Sequence, residues 1–317
     1  MLSICLFCRL CNANILEQTD VTQFLDEMEI NHGFDRANLS ELFQNIKISK
    51  NVLKAISKPA EKLPWYRYRP IFLQSDRVAQ GVKFWQQYAG VLHRAEQQFG
   101  VPAEIIVAII VVETRYGRFS GKYRVIDSLA TLAFNYPKRG EFFRSELVHY
   151  LLLTREQNID PRTIKGSYAG AMGIPQFISS SYRRYAIDFD NDGQTDIWNN
   201  PVDAIGSVGN YFKQHGWQEG NLIATKAMVS GYRYKKLITE DFKPNINNKQ
   251  LRLYGIASKR ELPADSRVKL IDLETKDGHE FWLGMHNFYV ITRYNHSSLY
   301  AMAVFQLAGM ILDNYSK

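Results

Sequence analysis

Cysteine is confined to the start of this 317-residue chain, at Cys5, Cys8 and Cys11, and nothing after them carries a thiol. The body of the protein therefore folds without disulfides and without a cysteine nucleophile. Long apolar runs are equally absent: no later stretch reaches the roughly 18 apolar residues that a helix needs to span a bilayer. Repeats and low-complexity tracts are missing and proline is scarce, at 10, which excludes collagen-like and linker-dominated readings. None of the seven histidines falls in an H-E-x-x-H spacing, and there is no G-x-S-x-G. Zincin and serine-hydrolase chemistry thus have no basis here. What remains is 45% hydrophobic and 13% aromatic, enough apolar surface to offset the chain entropy of two or three packed subdomains.

Net charge is +7, from 39 basic and 32 acidic residues, and the pI is near 9.1. That balance favours an anionic partner. The basic residues fall in pairs such as Lys138-Arg139, Arg183-Arg184 and Lys235-Lys236, not in the stripe that tracks a phosphate backbone, so nucleic acid is not an expected partner. The C-x-x-C-x-x-C spacing lies inside an apolar start and has no fourth ligand nearby. Residues 1–13 are read instead as a signal-like or truncated export segment.

Residues 14–97 read as a helical region, interrupted at 62–70, where Pro64 and Pro70 predict an extended segment. A second segment, 98–217, opens at Gly100-Val101-Pro102 with proline suited to the first helical position. Ile105 to Val112 is continuously apolar, as expected of a helix surrounded on every face. A glycine-rich loop at 166–173, an aspartate-rich turn at 188–196 and a helix over 202–215 follow. Residues 218–317 change character, with short strands expected at 251–255, 267–273, 280–284 and 287–292 before an apolar helix over 298–312.

Three constellations can carry chemistry. Glu113 follows eight apolar residues, and a carboxyl pressed against such a wall holds its proton towards neutral pH, as a general acid must. Read from this stretch alone, a glutamate that leaves the core to pair with Arg115 or another cation is the slightly favoured reading. In Gly166-Ser-Tyr-Ala-Gly-Ala-Met-Gly-Ile-Pro-Gln-Phe177, small residues admit a bulky ligand and Ser167 and Gln176 offer hydrogen bonds, although tight helix packing would give the same pattern. Asp188, Asp190, Asp192, Gln194 and Asp196 occupy positions 1, 3, 5, 7 and 9 of a calcium loop, with Gly193 at position 6. Position 12 is Asn199 where a bidentate glutamate is usual, so the closing carboxylate must come from elsewhere, and Asp203 and Asp196 are the candidates. Tyr68, Tyr211, Tyr294-Asn295 and Tyr300 combine flat apolar faces with polar groups suited to sugars, or are half-buried core residues.

Together, V-E-T-R-Y-G (112–117), F-N-Y-P-K-R (134–139), G-S-Y-A-G-A-M-G-I-P-Q-F (166–177), N-P-V-D-A-I-G-S-V-G-N-Y-F (200–212) and R-Y-N-H-S-S-L-Y-A-M-A-V (293–304) resemble the lytic murein transglycosylase B family, from about Trp65 onwards. The resemblance implies an α+β, predominantly helical fold: a lysozyme-like core with a flanking helical domain and a small antiparallel β-sheet. It implies that Glu113 is the single catalytic acid for the β-1,4 bond between N-acetylmuramic acid and N-acetylglucosamine. Substrate contacts then fall to Tyr68, Ser167, Met172, Gln176, Tyr211, Tyr294, Asn295 and Tyr300, and stem-peptide carboxylates to Lys138 and Arg139. A structural Ca2+ is implied on Asp188, Asp190, Asp192, the Gln194 carbonyl and Asp203.

With one carboxyl in place of a glycosidase's two, the expected product is a 1,6-anhydromuramyl end, and the expected partner is the peptidoglycan glycan strand, acted on by a monomer. A muramidase cleaving the same bond with water, and a non-catalytic calcium-dependent wall-binding module, are the rival readings. The expected location is the bacterial periplasm, free or at the outer membrane, with contacts to wall-synthesis proteins left open.

Overall fold

The computed structural model describes residues 15–57, 63–118, 120–263 and 265–317. The expected export segment and its three cysteines lie outside them. The chain forms two compact units, each made of two stretches: Met1–Ser57 with Lys122–Gly170, and Lys58–Gly121 with Ala171–Lys317. The sequential segments 14–97, 98–217 and 218–317 are therefore not the compact units.

In chain order the helices begin with α1 (Thr19–His32), α2 (Arg36–Gln44), α3 (Lys50–Ile56), α4 (Trp65–Phe72), α5 (Ser75–Gln87), α6 (Ala89–Phe99) and α7 (Ala103–Thr114). Next come β1 (Tyr123–Arg124), α8 (Val125–Asn135), α9 (Gly140–Glu156), β2 (Lys165–Gly166), α10 (Ser179–Tyr185) and α11 (Pro201–Gln214). The last stretch holds β3 (Ala224–Val229), β4 (Ile246–Asn247), β5 (Ile256–Ser258), β6 (Arg267–Thr275), β7 (Gly278–Gly284), α12 (His286–Tyr294) and α13 (Ser298–Tyr315).

In the first unit, α1 buries Val21, Phe24, Leu25 and Met28, one stripe at helical spacing. It stops at Gly33, whose φ of 64° lets its N–H turn back onto the Glu29 carbonyl. Phe24 meets Phe43 and Phe134, α8 packs along α9, and the Tyr150 hydroxyl donates to the Pro161 carbonyl at 2.7 Å.

The second unit is organised around α7. Its residues Ile105 to Val111 are at most 1% exposed, because α5, α6, α11 and α13 all pack on it. The continuous apolar run thus becomes a helix enclosed on every face, as its composition requires, with Pro102 at the cap and Ala103 the first helical residue. Among the described residues no single helix is long and apolar enough to cross a membrane.

Three local expectations are corrected. Residues 65–72 are helical, not extended: Pro64 serves as the cap, and Pro70 is tolerated because Trp65 and Tyr68 bury themselves and stack at 6.3 Å. Residues 251–255 are not a strand, since the Asn247 side chain accepts from the Lys249 amide and starts a 3-10 turn over Asn248–Tyr254. Residues 287–292 are helical, with Asn287, Phe288, Val290 and Ile291 buried at a spacing that suits α12 packed on α13. The five-stranded sheet runs β4-β6-β7-β3-β5, antiparallel at each pairing, with Leu270 opposite Leu283. Its third-longest strand, β3, was not among the expected ones, because Ala224–Val229 lacks clear alternation.

Candidate active site

Glu113 is the penultimate residue of α7. Behind it the helix offers only hydrocarbon, so burial pushes its carboxyl up to about 7, while a hydrogen bond from Tyr300 pulls the other way. The Tyr300 hydroxyl donates to Glu113 Oε1 at 2.5 Å from α13, one turn past a Ser297 cap that accepts from the Tyr300 amide. No ionised partner contributes to the shift of Glu113 among the described residues. The Arg115 pairing considered from sequence is therefore not what sets its protonation.

The chain after Glu113 reverses abruptly. Arg115, Tyr116 and Gly117 follow one another at φ of 48°, 64° and 78°, all left-handed. Thr114, 1% exposed, holds this reversal: its hydroxyl donates to the Ile174 carbonyl at 3.0 Å and accepts from the Gly117 amide at 2.9 Å.

An aromatic wall lies beside the acid. Tyr211, Tyr294 and Tyr300 each feel the charge of Glu113, and Tyr68 in turn acts on Tyr300. The Tyr211 hydroxyl donates to the Arg293 carbonyl and the Tyr294 hydroxyl to the Pro175 carbonyl, both at 2.6 Å. Phe177, Tyr211 and Tyr294 pack ring on ring at 4.7 to 5.9 Å. Asn295 caps the end of α12, half-buried. Gln176 adopts φ of 52° and spends both amide hydrogens on the carbonyls of Ser120 and Gly173, leaving its oxygen as an acceptor. Met172 is fully enclosed and bridges Phe177 through the backbone, so it shapes this turn where an open apolar contact was expected.

Ser167, Lys138 and Arg139 belong to the first unit. Ser167 Oγ accepts from the Ala169 amide at 3.2 Å, and the basic pair is exposed, Arg139 lying over the Phe142 ring.

The aspartate loop gathers Asp188, Asp190 and Asp203, whose carboxylate oxygens lie within 4.8 Å of one another. Asp203 is fully buried at the first turn of α11 and accepts from the amides of Phe189 and Asp196. Asp196 turns away, capping the amides of Trp198 and Asn199. Asn200 starts α11 and also donates to Asp190 at 2.8 Å. Clustered hard oxygens of this kind fit Ca2+, and without a cation they repel. Asp192 accepts from the Gln194 amide and stands outside the three-carboxylate cluster.

With this geometry in hand, the sequence matches the transglycosylase SLT domain over residues 17–309. The chain belongs to that family. It is 47% identical to the membrane-bound lytic murein transglycosylase B of Escherichia coli (strain K12) over 299 residues, 91% of this chain and 81% of that protein. Its fold superposes on the soluble lytic transglycosylase SltB1 from Pseudomonas aeruginosa with TM-score 0.88 and 48% identity, covering 94% of this chain and all of that one. The Escherichia coli lytic transglycosylase Slt35, solved in complex with calcium, matches with TM-score 0.87 and 45% identity over 94% of each chain. The transglycosylase core is thus mostly helical with a small antiparallel sheet, as the motifs implied.

Two contributors to the geometry around Glu113 escape a reading by residue type: Thr114 and the backbone of Ile174. A buried threonine at a helix end, followed by two residues and a glycine that must all reverse, is the signal that marks the first.

Proposed function

We propose that the protein is a peptidoglycan lytic transglycosylase, with Glu113 as acid and then base. The observation that carries this reading is the Glu113 carboxyl at the end of an apolar helix, protonated to about pH 7 and held at 2.5 Å by Tyr300. Such a group releases a proton readily yet keeps it at the pH of a cell envelope.

Glu113 gives its proton to the glycosidic oxygen as the bond from that oxygen to C1 of N-acetylmuramic acid breaks. The substrate's own N-acetyl carbonyl oxygen bonds to C1 from the opposite face. The Glu113 carboxylate then takes the proton of the C6 hydroxyl, O6 attacks C1, and the bond to the acetyl oxygen breaks. The product is a 1,6-anhydromuramyl end, and Glu113 finishes protonated. No second carboxyl is needed, which fits a Glu113 shift to which, among the described residues, no other carboxyl contributes.

Tyr68, Tyr211, Tyr294, Asn295, Tyr300 and the Gln176 oxygen are assigned to the sugar subsites, with Ser167 contacting glycan and Lys138 and Arg139 the stem-peptide carboxylates. Ca2+ is assigned to Asp188, Asp190 and Asp203, with Asp192 and the Gln194 carbonyl completing the loop; it supplies charge neutralisation to the fold and takes no part in the bond-breaking step. The place of action is the periplasmic wall.

The test is mass spectrometry of fragments released from intact peptidoglycan by wild type and by Glu113→Gln. Fragments one water lighter than hydrolysis products, made by wild type alone, are expected. Reducing-end products would replace this reading with muramidase action, and an inert folded wild type with a binding module.

A further inference from the structure

The calcium loop and the catalytic helix are joined by a short run of hydrogen bonds that passes through Thr114. The buried Asp203 accepts from the Asp196 amide at 2.8 Å, which fixes the strand of chain entering Ile197. The Ile197 carbonyl accepts from the Ile174 amide at 2.8 Å. The carbonyl of that same Ile174 accepts from the Thr114 hydroxyl at 3.0 Å, and the hydroxyl accepts from Gly117 at 2.9 Å. Thr114 is the neighbour of Glu113 in the last turn of α7.

The run has no slack at either end. A methyl group on Gly173 would come within 2.6 Å of the Ile197 carbonyl, so chain must approach chain closely there, and Gly173 sits at φ of 69°. One on Gly117 would press on Ile174 at 3.3 Å. Near the metal end, Gly206 lies so close to the Phe189 ring that an added carbon would fall at 2.3 Å. Peptide groups in such contact move together or not at all.

Resting on the transglycosylase reading above, we propose that Thr114 is a positioning residue that transmits the order of the aspartate loop to Glu113. With the cation bound, three carboxylates that otherwise repel are drawn together, the 196–197 peptide is held, and Ile174 keeps its carbonyl on Thr114. The reversal at 115–117 is then fixed, and the Glu113 side chain points at the Tyr300 hydroxyl. Without the cation, the last turn of α7 loses its outside anchor. The metal thereby bears on the rate of the reaction while staying remote from the bond that breaks.

The experiment compares wild type, Thr114→Val and Thr114→Ser, each with Ca2+ and after chelation. Amide hydrogen exchange is read at Ile174 and Gly117, and steady-state kinetics on peptidoglycan are read in parallel. In wild type, Ca2+ is expected to slow exchange at both amides. In Thr114→Val it slows Ile174 alone, kcat falls by roughly tenfold to a hundredfold with KM within about twofold, and kcat no longer responds to Ca2+. Thr114→Ser restores both responses. Exchange at Gly117 indifferent to Ca2+ in wild type would overturn the proposal whatever the variants do. So would a Thr114→Val protein with the wild-type kcat and calcium response, or one that loses kcat and KM together. Should wild type release no anhydro fragments, the function reading falls, and the exchange at Gly117 still decides the coupling.

Discussion

The Tyr300 hydroxyl stands 2.5 Å from Glu113 Oε1 and donates to it across 187 residues of sequence. Desolvation by α7 raises the carboxyl and this hydrogen bond restrains the rise, so two opposed effects set the acid at about 7. Stripped of the phenol, the carboxyl would hold its proton too tightly; stripped of the apolar helix, it would hold none at neutral pH.

Cleavage should therefore fail on the alkaline side. The protonated acid is lost as pH rises through about 7, and kcat/KM is expected to fall tenfold per pH unit above it. Initial rates from pH 5 to 9 on one peptidoglycan preparation check this, and a flat profile to pH 9 would dismiss Glu113 as the acid.

Tyr300→Phe should move that alkaline limb to higher pH, because the phenyl ring keeps the burial and removes the bond that favours the carboxylate. At neutral pH the rate should drop by about tenfold, the acid step being weakened because the carboxylate it leaves has lost its hydrogen bond, and the carboxyl being less well aimed. An unmoved limb would show that the phenol does not tune the acid.

Glu113 also costs the fold something. Its folded carboxyl titrates at about 7 and its unfolded one near 4.5, so the folded state binds the extra proton between those values. Stability is full below pH 4.5, declines as pH rises to 7, and is level beyond. Glu113→Gln should consequently be more stable than wild type by up to about 3 kcal/mol at pH 8 and equal to it at pH 4. Denaturant unfolding of both proteins at the two pH values measures it, and a variant less stable at pH 8 would contradict the burial argument.

Calcium should raise the melting temperature of wild type, by an amount equivalent to about 2.7 kcal/mol at a hundredfold excess over Kd. Asp203→Asn should abolish the rise, whereas Asp196→Asn, which touches only its own turn, should keep most of it. Equal losses in the two variants would assign the closing role wrongly.

Gly206→Ala tests the packing of α11 on the aspartate loop. Its added carbon falls at 2.3 Å from the Phe189 ring, so unfolding free energy should drop by about 1–3 kcal/mol. An unchanged value would mean that the loop is free to move aside.

Much of the site was legible because its chemistry is local. Eight apolar residues before Glu113 announce a carboxyl at the edge of a core, and alternating aspartates around Gly193 announce a cation loop. The tyrosines were harder to place, since the spacing that brings Tyr294 and Tyr300 beside Glu113 is also the spacing of half-buried core residues. What was not legible depends on tertiary partners. Pro70 is helical because Trp65 and Tyr68 bury one face of α4, and residues 287–292 are helical because α13 covers them. Neither cause is visible within the segment. The two-stretch construction of each unit was hidden for the same reason: the chain leaves the first unit after Ser57 and re-enters it at Lys122 without any change of composition.

Chain order gives the Glu113–Tyr300 contact one more meaning. Glu113 ends α7, whereas the phenol lies on α13, 187 residues further along the chain. A chain halted anywhere before that helix carries the acid without its donor and with α7 uncovered along the side that α13 packs against. The Glu113–Tyr300 pair thus comes into being only once α13 has been made and packed on α7.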